Sequence, residues 1–149
     1  MSQKMLLTLL ACLEKPVWAI SRTIYALTRY CLRANNGNAL LAARRSAAWL
    51  FQMQNADGSL PGKAGDTGAH LESTLDAWWA LHSTGFNEQA NRVSGFLLDT
   101  VCDSQMGRFK SGAASYHIFL DNQTWGAAFL RAVGYTAAAR RALSYAQST

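Results

Sequence analysis

The sequence has few of the residues that define disulfide scaffolds, metal centres and membrane proteins. Cysteine occurs three times, at Cys12, Cys31 and Cys102, and no two form a CxxC pair, so neither a disulfide framework nor a zinc knuckle is indicated. HExxH motifs, Cys–His spacings, P-loops and dinucleotide fingerprints are also missing, and we therefore expect no metal and no cofactor. Because no apolar run approaches the roughly 20 residues of a membrane-spanning helix, we expect no membrane association.

Acidic residues are outnumbered by basic ones, 9 against 14, and the net charge is +5 at pH 7. The basic residues are scattered over predicted helix faces, for example at Arg44-Arg45, Arg92 and Arg140-Arg141. Nucleic-acid-binding proteins instead gather Lys and Arg into one patch or stripe. We therefore expect no nucleic-acid partner.

The first 15 residues form a separate, apolar segment. Residues 5–12 follow Lys4 and resemble a lipoprotein signal, but the run is short and Glu14-Lys15 leads into another helical pattern. A cytoplasmic protein is expected, and export by this lipoprotein-like segment stays the alternative. The apolar face of residues 5–13 also predicts self-association, as a homodimer.

Proline is scarce too, and its two positions, Pro16 and Pro61, fall between helical patterns, where it breaks no helix. Apolar residues recur with the helical period, and the alternation typical of strands is absent apart from a stretch around 115–119. The pattern predicts helices at about 2–13, 17–33, 39–54, 71–84, 88–101, 122–133 and 136–147. We therefore predict one all-α domain over 1–149.

A short pattern recurs about every 48 residues: a helix ends at glycine, and the next helix carries an arginine and an aromatic. The three copies are Gly37 with Arg45 and Trp49, Gly85 with Arg92 and Phe96, and Gly134 with Arg141 and Tyr145. This period is typical of stacked antiparallel helical hairpins, here about 17–54, 71–101 and 122–147. The two long loops, 55–70 and 102–120, then emerge at one end of the stack, which is the candidate functional face.

The first long loop resembles the repeat motif of α/α-toroid proteins such as terpene cyclases. The matching residues are Arg45, Trp49-Leu50, Gln54 and Asp57-Gly58. Ser46 and Leu60 depart from the pattern, which has a small Gly or Ala and a tryptophan at these places. In that family the glutamine ties a helix end to the next loop and the aromatic packs between helices. The resemblance thus implies a toroid architecture and no particular chemistry.

A closer resemblance, over about residues 18–147, is to the six-hairpin glycosidase-like proteins, whose α/α barrels bind or process sugars. It rests on WL at 49–50 with NADG at 55–58, HLESTLDAWW at 70–79 and LDNQTW at 120–125. A full barrel in that group has six hairpins, and this chain has about three. The resemblance implies a partial toroid that pairs with a copy of itself, stays an open arc, or derives from a larger parent.

Candidate site residues follow from spacing along the predicted helices. Glu72, Asp76 and Trp79 lie at i, i+4 and i+7, on one helical stripe. A carboxylate pair beside an aromatic suits a sugar, because carboxyls can serve as acid and base while a ring stacks on the pyranose. The alternative is a structural role, since two acids one turn apart on a helix are usually solvated or salt-bridged. Asp121 has two interpretations, a helix cap or a group facing the same cleft as His70 and Glu72. The candidate ligand-binding residues are His70, Glu72, Asp76, Trp79, Phe109, Asp121, Gln123 and Trp125, and the candidate catalytic residues are Glu72, Asp76 and Asp121.

Two classes of function remain open. The first is a binding or scaffold module, homodimeric, with a polar and aromatic cleft for a saccharide or peptide. The second is a small or split carbohydrate-active enzyme that uses carboxylate acid–base chemistry. The half-size barrel favours the first.

Overall fold

The protein, seen in a computed structural model, is described over residues 16–103, 105–112 and 117–148. Almost all regular structure in these ranges is helical, and a π-helical turn, Leu97–Val101, continues the fourth helix. The helices are α1 Val17–Ala34, α2 Gly37–Met53, α3 Leu71–Thr84, α4 Asn87–Phe96, α5 Leu120–Ala132 and α6 Thr136–Ser148. Two short antiparallel strands, β1 Cys102–Asp103 and β2 Arg108–Phe109, pair Cys102 with Phe109.

The all-α prediction is confirmed, and each described helix begins and ends within a few residues of its predicted range. The predicted helix at 2–13 lies outside the described residues. The β1–β2 pair was not predicted, because two-residue strands are too short to show an alternating pattern. Of the doubtful stretch around 115–119, residues 117–119 are not in a strand.

The turn glycines follow the prediction in two hairpins and differ in the first. Gly85 and Gly134 adopt the left-handed backbone, with φ of 87° and 93°, immediately beyond α3 and near the end of α5. At the first turn Asn35 takes this conformation, with φ of 48°, and Gly37 is already the first residue of α2. Asparagine can do so because its short polar side chain tolerates the left-handed region.

Three hairpins pack side by side. The pairs are α1 with α2, α3 with α4 and α5 with α6, and α3 lies against both α1 and α2, while α5 contacts α3. The loop 55–70 passes the starts of α1 and α3, where Gly62 accepts from the Val17 amide at 2.9 Å and Leu60 accepts from the His70 amide at 2.8 Å. Helices α1 and α3 therefore begin at the same end of the molecule.

Gln54 ties the end of α2 to the first long loop and to α4. Its Nε2 donates to the Gly58 carbonyl at 3.1 Å and to the Gln89 carbonyl at 3.0 Å. Each bond joins a side chain to a backbone group that otherwise has to be solvated. The glutamine thereby fixes the first loop against α4.

The second long loop is anchored by Phe109 and Gln123, both fully buried. Gln123 Oε1 accepts from the Phe109 amide at 2.8 Å, and its Nε2 donates to the carbonyls of Phe109 and Phe119, at 2.8 and 3.1 Å. The Phe109 ring packs directly over Gly126 of α5, where a Cβ would overlap the ring. The missing side chain at Gly126 is thus what lets β2 approach the helix.

We expect Gly126→Ala to lower the free energy of unfolding by about 1–3 kcal/mol, because the added methyl overpacks a buried ring that has no room to move. Gly95→Ala in α4 is the matched control. A Cβ at Gly95 meets nothing within 4 Å, so this change should stabilise the helix by about 0.5–1 kcal/mol. Urea denaturation followed by circular dichroism measures both, and equal effects in the two variants would contradict the Phe109–Gly126 contact.

Candidate functional site

A cleft of about 310 Å³ lies where α3 and α5 begin. Its walls come from the first turns of both helices and from the loop that precedes α5. The lining residues are His70, Leu71, Glu72, Ser111, Phe119, Asp121 and Asn122. His70, Glu72 and Asp121, which the sequence predicted to face one end of the stack, all line this cleft, whereas Gln123 and Trp125, predicted to face it with them, do not.

His70 is the N-cap of α3. Its Nδ1 accepts a hydrogen bond from the Ser73 amide at 3.3 Å and lies 3.1 Å from the Ser73 hydroxyl. A neutral imidazole whose Nδ1 accepts carries its proton on Nε2. His70 is exposed, so this N–H is a donor that a ligand can reach.

Glu72 and Asp121 occupy the first turns of α3 and α5. Negative side chains are stabilising there, because the helix dipole places partial positive charge at the N-terminus. Asp121 is not the N-cap residue itself, because α5 begins at Leu120 with Phe119 as N-cap. Its Oδ1 accepts from the Asn122 amide at 2.8 Å and so satisfies one N–H of the first turn, as the capping interpretation expected. Asp121 is exposed at the cleft.

The predicted stripe of Glu72 and Asp76 exists, and one arginine of α1 binds both carboxylates. Arg22 Nε donates to Asp76 Oδ2 at 2.7 Å, and Arg22 Nη2 donates to Glu72 Oε1 at 2.8 Å. The two acids differ in environment, since the Asp76 side chain is 3% exposed and that of Glu72 is 34% exposed. Asp76 is therefore buried in the α1–α3 contact, and of the two acids only Glu72 lines the cleft.

Aromatic rings complete the surroundings of Arg22. Its guanidinium carbon lies 5.0 Å from the ring centroid of Trp18 and 5.0 Å from that of Trp125. Cation–π contacts of this length contribute about 0.5–1 kcal/mol each at exposed sites. Arg22 thus links α1, α3 and α5, and Trp125, which is 40% exposed, uses part of its surface on this contact.

Burial raises the pKa of Asp76 to about 6. Desolvation is the largest cause, the nearby Glu72 charge adds to it, and Arg22 opposes both through its charge and its hydrogen bond. A carboxyl with this pKa could act as a general acid near neutral pH. Asp76 cannot do so here, because it is buried and does not line the cleft.

Five of the predicted ligand-binding residues do not line the cleft: Asp76 and Trp125, which contact Arg22, and Phe109, Gln123 and Trp79. Phe109 and Gln123 are in the core, and the Gln123 amide is used entirely within the chain, so they hold the second loop instead of meeting a ligand. Trp79 packs against Tyr25 and Trp78, with centroid distances of 5.8 and 4.7 Å, and does not line the cleft. Its position two turns beyond Glu72 carries it away from the start of α3.

Sequence reasoning missed Arg22, Phe119 and Asn122. Phe119 and Asn122 flank Asp121 in the chain and line the cleft with it. Arg22 lies 50 residues from Glu72 and 54 from Asp76, and nothing local marks it as their partner. In the sequence, the one feature that points to Arg22 is its position next to Ser21, which lies on the buried face of α1.

The described residues hold no group of three or more His, Cys, Asp or Glu side chains that could bind a metal ion. Free thiols are present at Cys31 and Cys102, and burial with the nearby Asp103 charge raises the pKa of Cys102 to about 11. A thiol with this pKa is protonated at neutral pH and is a poor nucleophile. Within the described part of the chain, every helix is too short or too polar to cross a bilayer.

No protein-family model matches the chain, and no curated protein or solved structure is significantly similar to it. The functional assignment therefore depends on the cleft itself.

We expect Arg22→Met to lower the free energy of unfolding by about 3–5 kcal/mol near pH 8, because it leaves Asp76 buried without its cation. Arg29→Met is the control: Arg29 is exposed on the same helix, and such changes stay within about 0.5 kcal/mol. Adding Asp76→Asn to Arg22→Met should recover part of the loss, since it removes the uncompensated charge. Urea denaturation measures all three, and equal costs for the two arginine variants would refute the role of Arg22.

The raised pKa of Asp76 predicts a pH dependence of stability. Since the pKa rises from 3.8 to about 6 on folding, the folded state binds this proton more tightly than the unfolded chain. The stabilisation is complete below pH 3.8 and is lost as the pH rises through about 6.

Asp76→Asn isolates this effect from the other titrating groups. Between pH 4 and pH 7 the stability of the parent protein relative to Asp76→Asn should fall by up to about 3 kcal/mol. Denaturant titrations at stepped pH give the difference, and carboxyl NMR of Asp76 gives the midpoint directly. A difference that is flat or rises with pH would contradict the assignment.

Proposed function

We propose that the protein is a helical-hairpin module that binds a saccharide in the cleft between the starts of α3 and α5. The proposal rests on the chemical groups that the N-termini of α3 and α5 bring together in the cleft. Glu72 and Asp121 supply carboxylate acceptors, His70 supplies a donor and Phe119, which is 54% exposed, supplies a ring face. Sugar hydroxyls need such mixed hydrogen bonding, and the apolar face of a pyranose packs on an aromatic ring.

The size of the cleft favours a saccharide over a peptide. Small-molecule sites enclose about 300–1,000 Å³, and this cleft, at about 310 Å³, lies at the small end. Extended peptides bind along an open sheet edge and helical peptides along an apolar groove. The cleft has a mixed polar and apolar lining and is bounded by two helix starts, which suits one sugar unit or the end of a chain.

A partial α/α toroid is the architecture that we infer for this module. Its support is the arrangement of α1, α3 and α5, which contact one another in series and begin at the same end, while α2, α4 and α6 return beside them. In such an arrangement the starts of the parallel helices surround one shared face. Self-association stays a prediction, because the apolar face proposed for it, residues 5–13, lies outside the described residues.

Glycoside hydrolysis is the second candidate, favoured by one observation. Glu72 and Asp121 come from different helices and line the same cleft, as the acid and base of a glycosidase do on the two sides of the scissile bond. Against it, Arg22 binds Glu72, and the pair Glu72 and Asp76 is used inside the protein. Binding therefore remains the better supported function.

Saccharide binding is tested by titrating the ¹⁵N-labelled protein with a panel of neutral and acidic mono- and oligosaccharides. We expect shifts at His70, Glu72 and Asp121, and a 10- to 100-fold weaker affinity in Asp121→Asn, because a hydrogen bond to a charged group is worth about 1.5–3 kcal/mol. Asp99→Asn is the control, since Asp99 is exposed on the π-helical turn and does not line the cleft.

Two outcomes would reject the binding proposal: no saccharide producing shifts at millimolar concentration, or equal affinities for Asp121→Asn and Asp99→Asn. Incubation of the bound saccharide with the parent protein then separates the two functions. Cleavage that is abolished in Asp121→Asn would replace binding by hydrolysis, and an intact saccharide would leave a binding module.

A further inference from the structure

A second concave surface, the α5–α6 groove, runs along the third hairpin and has no part in the cleft. It encloses about 560 Å³ and is lined by Thr124, Ala127, Ala128, Arg131, Thr136, Ala139, Arg140 and Leu143. Each helix contributes positions i, i+3, i+4 and i+7, which is the spacing of one continuous helix face. The groove therefore runs between two facing stripes for about two turns of each helix.

The floor of the groove is built of small side chains. Ala127 and Ala139 are 3% and 4% exposed and form its base, while Ala128 and Leu143 are exposed on its walls, Leu143 at 45%. Small side chains at the base let another backbone approach closely, and an exposed leucine in the wall offers apolar contact. These are the features that a packed helix uses.

The protein itself shows what such a groove accommodates. In the first hairpin, α1 and α2 are antiparallel neighbours, and α3 packs against both of them. The third hairpin has the same antiparallel arrangement, since α5 and α6 pack together and are joined by the turn at Gly134. By this internal comparison the α5–α6 groove has the form that receives a helix in the first hairpin.

The charges on the groove walls indicate what kind of helix would bind there. Arg131 and Arg140 are exposed on opposite walls, near the turn at Gly134, and neither forms a salt bridge with the described residues. Asp121 is the single acidic residue of the sequence from position 120 onward. An occupant with acidic residues near this end would therefore gain complementary contacts.

A second copy of the chain does not meet this requirement. The helix that would continue the series of hairpins is α1 of the copy, and its exposed face carries Arg29 and Arg33. Bringing these arginines against Arg131 and Arg140 places like charges together, which is unfavourable at an interface. The groove therefore selects against self-assembly through α1.

We propose that the α5–α6 groove docks an acidic amphipathic helix of a partner protein, with small or apolar residues facing Ala127 and Ala139 and carboxylates facing Arg131 and Arg140. The proposal does not depend on saccharide binding, because the groove and the cleft share no lining residue.

The test uses fluorescent helical peptides of one design in four versions, with Glu or Lys at the positions that face the arginines and Ala or Leu on the buried face. Fluorescence anisotropy with the full-length protein measures binding. We expect the Glu peptides to bind and the Lys peptides to fail. Raising the salt from 50 to 300 mM should weaken binding severalfold, since exposed charge pairs are screened.

Three variants locate the site. The double reversal Arg131→Glu with Arg140→Glu should weaken the Glu peptides at least about tenfold and admit the Lys peptides. Ala128→Phe should block the groove, and Arg29→Glu with Arg33→Glu, the matched reversal on α1, should leave the affinity unchanged. All the positions are exposed, and circular dichroism confirms that each variant folds.

Other outcomes overturn the proposal. The first is that no peptide binds at millimolar concentration. The second is that the two double reversals lower the affinity for the Glu peptides equally. The third is that a single-stranded oligonucleotide binds as tightly as the Glu peptides. A dimer of the unliganded protein that dissociates in Ala128→Phe, seen by light scattering behind a sizing column, would assign the groove to a second copy.

Discussion

The salt bridge between Arg22 and Asp76 is the interaction on which the arrangement of the hairpins depends. Asp76 faces the α1–α3 contact, and a carboxylate in that position is tolerated only with a cation beside it. Arg22 meets this need while reaching Glu72 and the rings of Trp18 and Trp125. One side chain of α1 therefore contacts both α3 and α5, and the cleft lies between the starts of those two helices.

This linkage gives the carboxylates of α3 different roles although they lie one turn apart. Asp76 is desolvated, which raises its pKa, and it lies inside the contact between hairpins with Arg22 as its partner. Glu72 keeps a third of its side chain in solvent and lines the cleft, where its orientation is held by Arg22. A ligand in the cleft would thus meet a carboxylate that is already oriented, which lowers the entropy lost on binding. The same restraint makes Glu72 less suited to move during a reaction.

Much of the fold could be predicted because its signals are local. The apolar period marks each helix, glycine marks the turns at Gly85 and Gly134, and short turns force neighbouring helices to be antiparallel. Counting helix reversals predicted that the two long loops share one end, and His70, Glu72 and Asp121 do line one cleft. The roles of Phe109, Gln123 and Trp79 were not predictable in this way. Polar and aromatic residues look alike in sequence whether they serve the core or a ligand, and only packing distinguishes them.

The sequence by itself determined the helices, their order and the end of the molecule at which polar side chains gather, because these depend on periodicity and chain reversal. Tertiary structure alone decided that Asp76 is buried, that Arg22 is its partner from 54 residues away, and that Phe109 fills the space left by Gly126. These facts depend on which faces of distant helices meet. Which faces meet depends on the packing of the whole core, and the pattern of residues within one helix does not specify it.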